Sequence, residues 1–64
     1  MADYGRDVRK ILSEYHCKFL RQGRGDHEMW WSPITSRSVT VDYKIKSRHT
    51  ANEVLKQSGI GKRF

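Results

Sequence analysis

The sequence predicts a small α+β domain running helix, three strands, helix, and three stretches predict it. Residues 6–15 carry apolar side chains at Val8, Ile11, Leu12 and Tyr15, the i, i+3, i+4, i+7 spacing of an amphipathic helix. Residues 38–46 place Val39, Val41, Tyr43 and Ile45 in strict alternation with Ser38, Thr40, Asp42, Lys44 and Lys46, the period of two that marks a half-buried strand. Thr50 and Glu53 have the spacing of a capping box ahead of Val54 and Leu55, which opens a second helix.

The elements follow in order. Asp7 falls in the first turn of the first helix, where a negative charge suits the helix dipole, and either Asp3 or Gly5 can cap its start. Residues 17–22 form a short strand with a weaker pattern, Cys17, Phe19 and Leu20 lying among basic side chains. Gly23, Arg24, Gly25 and Asp26 compose a turn. Residues 27–32 read as a second, aromatic-rich strand, and Pro33 with residues 34–37 makes a connection of hairpin length. Ala51, Val54 and Leu55 face inward from the second helix, Gly59 ends it in a left-handed conformation, and Ile60 closes over the last turn. The tail, residues 61–64, is expected to be loose. Consecutive strands with short links make an antiparallel meander, and the two helices cover one of its faces. This order resembles that of double-stranded-RNA-binding domains.

Sixty-four residues suffice for one domain, 1–64, with a simple core. No apolar run approaches the roughly 20 residues needed to span a bilayer, and no signal-peptide pattern opens the chain, so no membrane is expected as a partner. The single cysteine, Cys17, excludes an intramolecular disulfide and a four-cysteine zinc site. It suits a small core position and a reducing, cytoplasmic setting.

Charge narrows the function further. Thirteen Lys and Arg against seven Asp and Glu give +6. Two basic segments, 1–25 and 44–64, flank a slightly acidic middle. Clustered cations attract phosphate backbones through counterion release, although surface lysines also serve solubility alone.

With those elements in place, the chain resembles the HicA toxins, the short partners of HicB antitoxins. The resemblance rests on Leu12, Ser13, Glu14 and Tyr15 at the end of the first helix. It continues through Phe19, Leu20, Arg21 and Gln22 to a glycine turn that leads into Gly25, Asp26, His27, Glu28, Met29 and Trp30. It closes on the capped helix, residues 49–60. Asp26 stands where the family commonly has serine, Glu28 where it has a second histidine, and Trp30 at its aromatic position. A proline and histidine that often follow the third strand are absent, with Asp42 and Tyr43 in that region. The resemblance implies a metal-independent endoribonuclease acting on mRNA through His27, with no cofactor, inhibited by a HicB-like antitoxin.

The chemistry fits the residue types. RNA breaks its own backbone when a base removes the 2′-hydroxyl proton and an acid protonates the leaving 5′-oxygen, and histidine can serve as either. Asp26 and Glu28 flank His27 in the chain and would favour its imidazolium form, which suits the acid; the base is not identified. Arg24, the backbone N–H groups around Gly25, and Lys44 or Lys46 are candidates to meet the phosphate charge. If the second strand is regular, His27, Met29 and Trp31 share one face and Glu28, Trp30 and Ser32 the other. Trp30 is then expected under the helices and Trp31 beside His27, where it can stack on an unpaired base. A bulge would exchange the two tryptophans. His16, at the end of the first helix, and His49, before the second, are expected to be structural. The alternatives are a non-catalytic RNA-binding module with the same basic surface and a protein-interaction domain using exposed Trp and Met. A metal-dependent nuclease ranks last, because Asp26, His27 and Glu28 are adjacent and cannot converge on one ion from a strand.

Overall fold

A computed structural model describes residues 3–64. It contains α1 (Gly5–Glu14), β1 (Lys18–Gln22), β2 (His27–Ser32), β3 (Arg37–Asp42) and α2 (Arg48–Gln57), the α-β-β-β-α order expected. The three strands form one antiparallel sheet with β2 in the middle. Both helices cover the same face of it, and Val8, Ile11 and Leu12 of α1 share one core with Trp30, Val39 and Val41 of the sheet and Ala51, Val54 and Leu55 of α2. The opposite face of the sheet is open.

Each helix ends on a pair of backbone bonds that reverse the chain. At α1, Cys17 N–H donates to Leu12 O (2.9 Å) and His16 N–H to Ser13 O (3.1 Å). At α2, Ile60 N–H donates to Leu55 O (2.9 Å) and Gly59 N–H to Lys56 O (3.0 Å). These are Schellman motifs, which satisfy carbonyls the helix leaves unpaired and bring the residue after the turn back onto the core. Cys17 and Ile60 are accordingly buried. The left-handed position is Gly59 at φ 79° in α2 but His16 at φ 67° in α1. His16, expected to be structural at the end of the helix, is the left-handed turn residue of the motif.

Several boundaries differ from expectation, each for a local reason. The cap of α2 is Ser47, whose hydroxyl accepts from Thr50 N–H at 3.4 Å; Thr50 lies within the first turn, and His49 is helical. At α1 Asp3 makes the side-chain contact, its Oδ1 accepting from Gly5 N–H (2.9 Å) and from Ile45 N–H (3.2 Å). Those two donors, Gly5 foremost, hold the Asp3 carboxyl below its ordinary 3.8, with Arg9 and Lys44 adding positive charge nearby. β3 stops at Asp42, four residues short of the expected end. Tyr43 is 49% exposed: its N–H donates to Asp26 O at 2.7 Å, its carbonyl accepts from the Arg9 guanidinium at 2.8 Å, and that guanidinium lies 4.8 Å from its ring centroid. Ile45 still reaches the core, but from the connection to α2. The tail is tied down, Phe64 N–H donating to the Asn52 side chain at 2.8 Å and its ring meeting Tyr4 edge-on at 5.1 Å.

Ser32 is a buried polar residue whose Oγ donates to Ser58 O at 2.7 Å, joining the end of β2 to the end of α2. Ser32→Ala leaves that carbonyl without its partner, and urea unfolding is expected to show a loss of about 1–3 kcal/mol. His16→Gly relieves a left-handed conformation that L side chains disfavour. The same titration is expected to show a gain of up to about 1 kcal/mol; no gain would mean that the His16 side chain stabilises the turn by other contacts.

Candidate functional site

The open face of the sheet is set by the parity of β2. Trp30 is 7% exposed and meets the core, and its indole N–H donates to Glu28 Oε1 at 3.0 Å. Glu28, Trp30 and the buried Ser32 therefore point to the helix side. His27, Met29 and Trp31 point away from it, with Trp31 37% exposed. The expected assignment of the two tryptophans is the one observed.

His27 opens β2 immediately after a tightly bonded turn. Its N–H donates to Arg24 O (3.1 Å), and its carbonyl accepts from Gly23 N–H (2.8 Å) and from the Gln22 side chain (3.0 Å), which also reaches Gly25 O at 3.2 Å. Gly25 adopts φ 57°, a conformation that suits glycine. Arg24 and Gly25 are exposed at the tip of this turn.

Opposite His27 in the register stands Asp42. Nδ1 of His27 lies 2.5 Å from Asp42 Oδ1, with the two side chains 51% and 44% exposed. An ionised carboxylate only accepts hydrogen bonds, so Nδ1 carries the proton of this contact and Nε2 is the nitrogen left to solvent. The carboxylate beside the imidazole is therefore Asp42. Glu28, expected to share that role with Asp26, faces the other side and holds the Trp30 indole.

The register places further cations beside this row. Lys18 pairs with Trp31 and Arg21 with Met29, with an irregularity between Phe19 and Arg21. Lys18 and Arg21 thus share the open face although three residues apart. Phe19 pairs with Trp30 and meets it edge-on on the other side, at 6.0 Å. On the β3 side, Ser38 faces Trp31 and Thr40 faces Met29, with Thr40 Oγ1 3.5 Å from the Met29 sulfur. Of the candidates nominated from sequence, His27, Trp31, Arg24 and Gly25 lie on this face or at its end. Lys44 and Lys46 leave the sheet with the connection to α2, and Lys44 stands near Asp3; they are not on the His27 row.

Asp42, Lys18 and Arg21 were not nominated from sequence. The expected connection, residues 33–37, would pair Ser32 with Ser38 and put Tyr43 opposite His27; β3 begins one residue earlier, at Arg37, so the turn has four residues and Asp42 is the partner of His27. Cys17 is buried and free, as expected of a core thiol. Among the described residues no group of three or more His, Cys, Asp or Glu side chains is arranged to hold a metal ion, and no helix is long and apolar enough to cross a membrane. Compared with known proteins, the chain matches no family model, no curated protein and no solved structure.

The His27–Asp42 contact has a direct spectroscopic signature. In the neutral ring, nitrogen-15 shifts are expected to show the proton on Nδ1, and Asp42→Ala is expected to return the ring toward the ordinary mixture dominated by the other tautomer. Unchanged shifts in the variant would mean that Asp42 does not set the tautomer.

Proposed function

We propose that this chain is a metal-independent endoribonuclease whose reacting group is His27. The observation that carries the reading is the His27–Asp42 pair at the end of an uncovered sheet face bordered by Lys18 and Arg21, with Arg24 exposed in the turn that precedes His27. With Nδ1 engaged by Asp42, Nε2 faces the position a substrate would take. In this reading the imidazolium Nε2–H protonates the leaving 5′-oxygen as the 2′-oxygen attacks phosphorus, and solvent takes the 2′-hydroxyl proton. The bond from phosphorus to the 5′-oxygen breaks, one forms to the 2′-oxygen, and the products are a 2′,3′-cyclic phosphate and a 5′-hydroxyl end. Arg24 and the N–H groups of its turn are the nearest candidates to meet charge developing on the phosphoryl oxygens.

The resemblance to the HicA toxins supports mRNA as the substrate and extends the reading to a toxin restrained by a HicB-like antitoxin. A cytoplasmic setting goes with it, in keeping with a free buried thiol. Asp42 acts through His27 as a positioning residue and touches no substrate atom.

The test is cleavage of a long single-stranded RNA by wild type, His27→Ala and Asp42→Asn, with EDTA present throughout. Wild type is expected to give fragments with cyclic-phosphate ends. His27→Ala is expected to give none, and Asp42→Asn to cut more slowly, by up to about 10⁴-fold, as when the partner that sets a catalytic tautomer is lost. An equally folded His27→Ala that cuts like wild type removes His27 from the chemistry. If no variant cuts and all bind RNA with the same salt-sensitive affinity, the domain is a binding module.

A further inference from the structure

Resting on that reading, we infer that the substrate is single-stranded RNA drawn across the open sheet face along β2, with one unpaired base stacked on Trp31 about two nucleotides from the phosphate at His27. The residues of β2 that face away from the helices are His27, Met29 and Trp31. Trp31 lies four residue steps along the strand from His27, a span of about 13 Å. A nucleotide rises about 3.4 Å in a stacked strand and roughly twice that when its backbone is drawn out, so the span holds about two extended nucleotides.

The rest of the face fits such a strand. Lys18 is the direct cross-strand neighbour of Trp31, and Arg21 that of Met29, so one cation flanks the aromatic platform and another the stretch leading to His27. Directly opposed side chains lie about 5 Å apart at their Cβ atoms, close enough for Lys18 to hold a phosphate while the attached base covers the indole. The β3 border presents the hydroxyls of Ser38 and Thr40 instead of charge. Asp42 is the one acidic side chain on the strand pairs of this face, and His27 neutralises it when protonated.

A duplex would not use these features. Paired bases in an A-form helix stay stacked on each other and offer no ring face to a side chain, whereas unpaired bases do. An exposed indole beside a lysine matches the second case, since base–aromatic stacking with a cationic border is how proteins hold single strands.

The probe is a short 2′-O-methylated single-stranded oligonucleotide, which cannot be cut through its 2′-oxygen, so binding is read apart from chemistry. Titration into wild type is expected to quench the exposed Trp31 fluorescence, with Trp30 left as background, and Trp31→Phe is expected to abolish most of the quench. Trp31→Ala is expected to weaken affinity about 5- to 150-fold, the range that stacking of one base supports. Lys18→Ala is expected to lower the slope of log affinity against log salt by about 0.7. The same sequence as a duplex is expected to bind more weakly than the single strand.

A folded Trp31→Ala that binds like wild type, or a duplex that binds tighter than the strand, overturns the inference and leaves the cleavage reading standing on its own assay. Trp31-dependent binding of the single strand together with no cleavage of ordinary RNA has the opposite meaning: the stacking platform stands and the nuclease falls.

Discussion

Trp30 sets the orientation of everything else on the central strand. Replacing a buried tryptophan by alanine costs about 3–5 kcal/mol, and domains of ordinary size are stable by only about 5–15 kcal/mol, with small ones toward the low end. A one-residue slip of β2 would exchange Trp30 for Trp31 at the core, turn His27 and Met29 toward the helices, and take Ser32 from its buried bond to Ser58 O, since the side-chain period of a strand is two. The bond from the indole N–H to Glu28 reinforces the constraint, because it uses the one carboxylate on β2 to satisfy the buried tryptophan. The face that carries His27, Met29 and Trp31 is thus a consequence of how the core is filled.

The same economy governs the ends of the helices. With so small a core, buried residues are drawn from the turns as well as from the regular elements: Cys17, Ile45 and Ile60 all lie outside helix and strand and all are buried. Two Schellman motifs fold Cys17 and Ile60 back onto the helices they follow, and Asp3 ties Ile45 to the start of α1. Ser32 and Ser58 then join the far end of the sheet to the end of α2. The helices are in this way held against one face by their ends as much as by their sides.

How much of this was legible in the sequence depends on whether the deciding force was local. The parity of β2, the stripe of α1 and the role of Gly59 are properties of short stretches with strong apolar or conformational preferences, and each was readable. The start of α2 was not, because Ser47 and Thr50 are both competent caps. The helix uses the earlier one, Ser47, whose hydroxyl accepts from Thr50 N–H. The end of β3 was not, because alternation alone sends Tyr43 inward, whereas its backbone is held by Asp26 and by Arg9, thirty-four positions away. The cations of the site were hidden for a third reason. Lys18 and Arg21 have opposite parity in a regular strand and share a face only through the irregularity at Leu20, which no alternation pattern announces. Lys44 and Lys46 were nominated from a strand that ends before it reaches them.

The His27–Asp42 pair does not owe its interest to stability. Both side chains are about half exposed, and pairs in such surroundings contribute about 0–1 kcal/mol at most. Under the proposed reading the carboxylate would even be a cost to holding a polyanion, because it opposes the field of Lys18, Arg21 and Arg24 whenever His27 is neutral. What the pair changes is the imidazole itself. A free surface histidine exchanges its proton between two nitrogens and rotates its ring; one held through Nδ1 presents a single nitrogen in a single direction. That is of little use to a domain that only binds RNA, which would gain more from another lysine at position 42. It is what proton transfer to a fixed leaving oxygen requires, because general acid catalysis depends on geometry before it depends on proton affinity. Under the proposed reading, the residue opposite His27 is what separates a chemical use of this face from a purely adhesive one.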